Sequence, residues 1–271
     1  MPSATALTMI AQIAAALALP HHTTLSVRAD RAAQNFCGAP NDYAVISGSP
    51  WIVYSMNYAY QEIDGSACTG YESLTTASDG TQRIKWNSTW AIAEDSNADV
   101  VKGYEFVGLT ENLENTITSI DSIPASYQWV KTNTTAYKGN VCFDFMTSDT
   151  KGDSTSSSAQ ELMLWLRYEG GQVPIGYSSG SVATVQLYNK SWKLYQGKNE
   201  DTGITVSSLL VDEADQYYGS FEGDIKDWLL AMVDQGLFTT STYVNVGNAG
   251  MEPFYGTVDF KNTLGLQINL A

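Results

Sequence analysis

An all-β sandwich carrying a single packed helix is the fold class this sequence predicts, on three observations. Only 16% of its 271 residues are charged, against roughly 25% in an average soluble chain, while 16 Tyr, 22 Gly and plentiful Ser and Thr suit pleated, half-buried surfaces. Short apolar runs alternate with Gly, Asn, Asp and Ser clusters all the way to the C-terminus. A single stretch, around Trp228, instead repeats its apolar residues at helical spacing. With 44% hydrophobic residues and no internal repeat, the chain has enough apolar material for one large domain with a sizeable core.

At the N-terminus, Ala4 to Leu19 is apolar and no charge occurs from Met1 to Ala18, after which polar His21, His22 and Thr23 follow. The stretch is shorter than the roughly 20 residues of a membrane span, and Ala16 with Ala18 gives an A-x-A cleavage pattern. It reads as a signal peptide over 1–18, so the protein is expected to be secreted and extracellular. The polar, Arg-containing stretch that follows reads as a pro-segment or disordered arm over 19–35, and the mature domain as 36–271. No other segment is long and apolar enough to span a membrane.

Three cysteines leave at most one intramolecular disulfide, and in a secreted chain Cys37 with Cys68 closes a short N-terminal loop. Cys142 is then the odd thiol; its place in the strand-like run Val141 to Met146 makes it a buried, inert one. Both histidines precede the mature domain, which removes Ser-His and Cys-His catalysis and His-metal sites from consideration. Chemistry here must rest on carboxylates. Fourteen basic against 29 acidic residues give a formal charge of -15, which repels a phosphate backbone, so neither nucleic acid nor membrane is an expected partner and a monomer is expected.

The strands expected along the chain are Ala44 to Ile46, Trp51 to Met56, Ile84 to Ile92, Tyr104 to Leu109, Ser126 to Lys131, Val141 to Thr147, Glu161 to Arg167, Val182 to Leu187, Ser191 to Tyr195, Ile204 to Val211, Tyr243 to Asn248, and two within Met251 to Leu270. The Ser/Thr-rich stretch Asp149 to Ala159 is a loop between strands, too short for an interdomain linker. The helix comprises Ile225, Trp228, Leu229, Met232 and Val233, with Ser220 as N-cap and Gly236 as stop. Its stripe must bury against a sheet. The N-x-[ST] patterns at Asn87, Asn133 and Asn189 are candidate glycosylation acceptors, of which one or two are expected to be used.

Strand alternation singles out the candidate acids. In Glu161 to Arg167, Leu162, Leu164 and Leu166 share one face, while Glu161, Met163 and Trp165 share the other. A carboxylate, a thioether and an indole in a row suit the floor of a sugar-binding groove, although a solvated strand face accounts for Glu161 equally well. In Val141 to Thr147, Asp144 likewise lies opposite Val141, Phe143 and Phe145. A third carboxylate, Glu252, sits in the apolar run Met251 to Gly256, where desolvation would raise its pKa, although a Glu at a turn before Pro253 accounts for it somewhat better in isolation.

Together Gln160-Glu161-Leu162-Met163-Leu164-Trp165-Leu166, Phe143-Asp144-Phe145-Met146-Thr147 and Met251-Glu252-Pro253-Phe254-Tyr255-Gly256 resemble glycoside hydrolase family 12. Cys68-Thr69-Gly70, Ile84-Lys85-Trp86, Pro174-Ile175-Gly176, Ser191-Trp192-Lys193-Leu194-Tyr195 and the helix before the last strands extend the likeness over about Phe36 to Leu270. The resemblance implies a β-jelly roll of two curved antiparallel sheets whose concave face binds a β-1,4-glucan and cleaves it in mid-chain with retention. It implies Glu161 as nucleophile, Glu252 as acid/base and Asp144 as the carboxylate that orients the nucleophile, with neither metal nor cofactor. Tyr58 stands where the family's Asn-Asn-Leu-Trp-Gly run places Trp, and so offers less stacking area. Trp86, Met163, Trp165, Pro174 and Phe254 complete the expected groove. The alternatives are a glucan-binding protein that has lost catalysis and, further off, a xylanase of related fold.

Overall fold

The structure, a computed structural model, describes residues 33–78 and 80–271. The expected signal peptide, 1–18, and most of the expected arm, with both histidines, lie outside the described residues. The strands are β1 (Gln34–Phe36), β2 (Asn41–Val45), β3 (Trp51–Met56), β4 (Gly65–Thr76), β5 (Gln82–Ile92), β6 (Tyr104–Leu109), β7 (Asn115–Thr116), β8 (Ile120–Ser122), β9 (Pro124–Asn133), β10 (Lys138–Ser148), β11 (Gln160–Glu169), β12 (Ala183–Leu187), β13 (Lys190–Lys198), β14 (Thr205–Val211) and β15 (Ser220–Asp224). Helix α1 (Ile225–Asp234) follows, then β16 (Tyr243–Met251), β17 (Pro253–Leu266) and β18 (Asn269–Leu270).

They form two curved layers, a jelly roll. One sheet runs β1-β4-β5-β17-β9-β15, and the other runs β2-β3-β6-β16-β10-β11-β14-β13-β12. β10 also pairs with β17 at Lys138–Tyr255 and Gly139–Pro253, which ties the layers together at one margin. Pairing is antiparallel except between β11 and β14, which run parallel because the β12–β13 hairpin lies outside β14.

Alternation produces the core. Phe143 and Phe145 of β10, Leu162, Leu164 and Leu166 of β11, and Trp192 and Leu194 of β13 are buried between the sheets, facing Trp86, Trp90, Tyr127 and Phe260 of the other layer. Each fully buried side chain of this size stabilises by roughly 1.5–3 kcal/mol relative to exposure. The helix stripe of Ile225, Trp228, Leu229 and Met232 joins this core.

Several expectations change in detail. Ser220 does not cap the helix: it opens β15, and Asp224 Oδ1 accepts from Lys226 N at 2.9 Å, so Asp224 is the N-cap. Gly236, at φ 75°, does stop it. β4 went unforeseen because its Ser, Thr and Gly residues make no apolar run, yet it pairs with β5 from end to end. Gln34 and Asn35, expected in the arm, belong to β1 and pair with β4. The two strands expected within Met251 to Leu270 are present as the long β17 and the two-residue β18. Cys37 and Cys68 form the disulfide and Cys142 is free and buried; closing a 31-residue separation stabilises by about 4 kcal/mol in the chain-entropy account.

Candidate active site

The concave site grows out of the second face of the β2-to-β12 sheet. Side chains that alternate away from the core line up in rows across its strands. One row reads Asn248, Asp144, Met163, Ser208, Tyr195 across β16, β10, β11, β14 and β13. The next reads Val246, Met146, Glu161, Val206, and on the other side lies Gly250, Cys142, Trp165, Leu210. Glu161 is thus the diagonal neighbour of Asp144 on the adjacent strand, within side-chain reach.

Glu252 arrives differently, from the junction of β16 and β17. Asn140 on β10 fixes it twice: its Oδ1 accepts from Glu252 N at 3.0 Å and its Nδ2 donates to Glu252 Oε2. Gln172, from the loop after β11, donates to the same oxygen at 3.1 Å. The approach depends on Gly139, where a Cβ would stand 2.8 Å from the Glu252 carbonyl oxygen.

All three carboxyls hold their protons unusually well. Burial raises Glu161 to about 7. Burial, then the Glu161 charge, raises Glu252 to about 8, against the lowering pull of Asn140 and Gln172. Asp144 is pushed well up by burial, then by Glu161 and Glu252. Its Oδ1 makes no hydrogen bond among the described residues, and the neighbouring carboxylates favour its neutral, protonated form. Carboxylates that perturb one another in a cleft lined by aromatic rings are equipped for proton transfer and nucleophilic attack.

Tyr58 lies in the field of this cluster: burial, then Glu252, Glu161 and Asp144, raise its hydroxyl well above the usual range. Met163 and Trp165 lie in the apolar floor with Tyr54, Phe106 and Tyr195. Pro174 is buried in the Gln172 loop, and Phe254, beside Glu252, sits under Lys138 Nζ at 5.0 Å. Trp86 is a correction: it is fully buried between the sheets, stacked on Tyr127 at 6.5 Å, because every second residue of β5 from Ile84 to Ile92 faces the core. Of the glycosylation candidates, Asn133 and Asn189 are exposed, whereas Asn87 lies in mid-sheet with its amide over Gly70.

Sequence reasoning missed Asn140, Gln172 and Asn248. Extending the β10 alternation backwards from Asp144 through Cys142 would have found Asn140; Gln172 sits in a loop that no periodicity marks. Also unforeseen is a stack of rings, Tyr43 on Tyr54 at 4.9 Å and Tyr54 on Phe106 at 5.0 Å, running to one end of the groove; Tyr177 against Tyr195 at 5.1 Å marks the other.

Residues 49–264 match the sequence family described as glycosyl hydrolase family 12. The chain belongs to that family. As a glycoside hydrolase of family 12, it is 31% identical over 235 residues to xyloglucan-specific endo-beta-1,4-glucanase A of Emericella nidulans, covering 86% of this chain and 88% of that one. It is also 29% identical over 193 residues to the inactive glycoside hydrolase XLP1 of Phytophthora nicotianae, covering 71% of this chain and 74% of that one. The crystal structure of Trichoderma harzianum endoglucanase 3 superposes with a TM-score of 0.73 at 25% identity, covering 89% of this chain and all of that one.

Proposed function

We propose that this glycoside hydrolase is a secreted endo-β-1,4-glucanase that cleaves xyloglucan or a related β-glucan with retention of configuration. The observation that carries the reading is the placement of buried carboxyls beside one aromatic-floored groove: Glu161 and Asp144 on adjacent strands of one sheet face, and Glu252 held at the β16–β17 junction by Asn140 and Gln172, with the Glu161 charge raising the Glu252 pKa. The family motifs make Glu161 the nucleophile and Glu252 the acid, and the charge of Glu161 favours the protonated form of Glu252 that this role needs.

Glu161 attacks the anomeric carbon as Glu252 gives its proton to the departing glycosidic oxygen. The bond to sugar removes the Glu161 charge, which was the chief charge holding the Glu252 proton. Glu252 is then free to act as base on the water that opens the glycosyl-enzyme. Asn140 and Gln172 keep Oε2 of Glu252 in place through both steps. Asp144, on the neighbouring strand and the same face, keeps its proton and orients the nucleophile by hydrogen bonding to it. Tyr58, Met163, Trp165 and Phe254 are the sugar-contacting residues, and Asn133 and Asn189 carry any glycans. Rings placed across the sheet from Tyr43 on β2 to Tyr195 on β13 suit several sugar units of a neutral polymer, and so mid-chain cleavage. Secretion is supported by the N-terminal apolar stretch and by the disulfide.

The test is reducing-sugar release from xyloglucan, mixed-linkage β-glucan, carboxymethyl cellulose and xylan, with the product anomer followed by proton NMR. Early β-anomer that vanishes in Glu161→Gln supports the whole reading; early α-anomer overturns retention. The inactive relative gives a specific ground for a second reading, a glucan-binding protein without turnover. Retardation of wild type in a glucan affinity gel with no sugar release would favour it.

A further inference from the structure

Away from the three site carboxyls, a fourth is sealed in the protein. Glu105 on β6 is fully buried on the core side of the sheet, with Ser55 opposite it on β3 and Met251 opposite it on β16. Ser55 Oγ donates to Glu105 Oε1 at 3.1 Å and accepts from Asn57 Nδ2 at 2.9 Å. Thr69 Oγ1 of β4 lies 2.5 Å from Glu105 Oε2 and 2.8 Å from the carbonyl oxygen of Tyr54.

A hydroxyl has a single hydrogen, and the Tyr54 carbonyl can only accept. Thr69 must therefore give its hydrogen to Tyr54, and the short contact to Glu105 has a hydrogen only if Glu105 supplies it. With Oε2 protonated, every contact is satisfied: Glu105 to Thr69, Thr69 to Tyr54, Asn57 to Ser55, Ser55 to Glu105. With Glu105 ionised, two acceptors compete for the one Thr69 hydrogen, and a charge sits in a dry core with no cation to meet it.

We propose that Glu105 is a positioning residue that works as a neutral carboxylic acid, locking β3 to β4 so that Asn57 presents Tyr58 to the substrate. The chain of contacts ends on Asn57, whose next neighbour along the chain is Tyr58, the ring on which the charges of Glu252, Glu161 and Asp144 act. Burial raises Glu105 to about 7 against the lowering pull of Thr69 and Ser55, and no charged group from β3, β4 or β16 acts on it. The lock consequently loosens as the pH rises through that value. The inference rests on Tyr58 serving the groove, as in the glucanase reading.

The experiment follows Tyr58 directly, in protein labelled with 13C in its tyrosine rings, the Tyr58 resonance being assigned by its loss in Tyr58→Phe. In Glu105→Ala the resonance is expected to shift, and in Glu105→Gln, which keeps one acceptor and one donor, to return to its wild-type position. Thr69→Val, of equal size and without the relay hydroxyl, repeats the shift should the alanine variant fold poorly. Binding of a cello-oligosaccharide in a Glu161→Gln background should weaken about tenfold with Glu105→Ala. That loss should be absent when Tyr58 is already Ala. A Tyr58 resonance that ignores both Glu105→Ala and Thr69→Val overturns the proposal, as does a Glu105→Gln that behaves like Glu105→Ala. The resonance needs no sugar, so a protein that binds no glucan would remove the glucanase reading while the role of Glu105 was still decided.

Discussion

The two faces of β10 and β11 are made of the same strands and differ in everything else. Toward the other sheet point Phe143, Phe145, Leu162, Leu164 and Leu166, a dry and mutually complementary set. Toward the groove point Asp144, Glu161, Met163 and Trp165, among atoms that lack partners: Asp144 Oδ1, Trp165 Nε1, and Ser208 Oγ and Asn248 Nδ2 in the same row. Alternation separates a face that stabilises from a face that costs stability and does chemistry, one residue apart. Unpaired buried groups each cost roughly 1–3 kcal/mol, and they also occur in the core, at Trp51, Trp86, Tyr127 and Trp228; those on the groove face are the ones a ligand can complete.

The sharpest break of this contrast is Glu161→Gln. Loss of kcat by about 10^3-fold or more is expected with the fold intact; a variant keeping a tenth of the activity would move the nucleophile elsewhere. Next is its neighbour Leu164→Ala, which should cost about 2–5 kcal/mol in denaturant unfolding while kcat of the folded enzyme is nearly unchanged. Two tryptophans sharpen the comparison further. Trp86→Phe should lower the melting temperature and leave KM alone, whereas Trp165→Phe should raise KM several-fold; the reverse pattern would mean that the core and groove assignments are exchanged.

The smallest effect is one of pH. An acid whose pKa is raised on folding adds stability below its unfolded value, near 4.5, and loses it as the pH climbs through the folded value, about 7 for Glu161. Calorimetry from pH 5 to 8 should therefore show Glu161→Gln gaining on wild type as pH increases. A constant difference would mean that the groove face does not strain the fold. In turnover, kcat/KM should fall on the acid side as Glu161 takes up its proton and on the alkaline side as Glu252 loses its own, with both limbs belonging to the coupled pair.

How far the sequence could be read follows the same division. Strands with strict alternation, such as β10 and β11, were legible with their faces, and so were Asp144 and Glu161 as groove candidates. Glu252 was singled out by its apolar setting, but only the resemblance of Met251 to Gly256 to the family motif gave it a role. Trp86 was not, because alternation in β5 assigns residues to faces without saying which face meets the second sheet; only the packing of Trp86 on Tyr127 decides it. The polar β4 and the cap at Asp224 were hidden for a related reason: their partners lie far along the chain, in β5 and at Ile123, whose N–H donates to Asp224 Oδ1 at 2.7 Å.

The short β1 strand has a consequence for how the molecule keeps to itself. β4 is twelve residues long, yet among the described residues β1 covers its outer margin only from Thr69 to Tyr71. An unpaired margin of that length is a template for another chain to add a strand. The Cys37–Cys68 bridge fastens the β1 end beside that margin, so a covalent bond far from the chemistry also guards against aggregation. In reducing surroundings the guard would be lost before the groove was touched, and the first symptom would be turbidity with the remaining soluble enzyme still active.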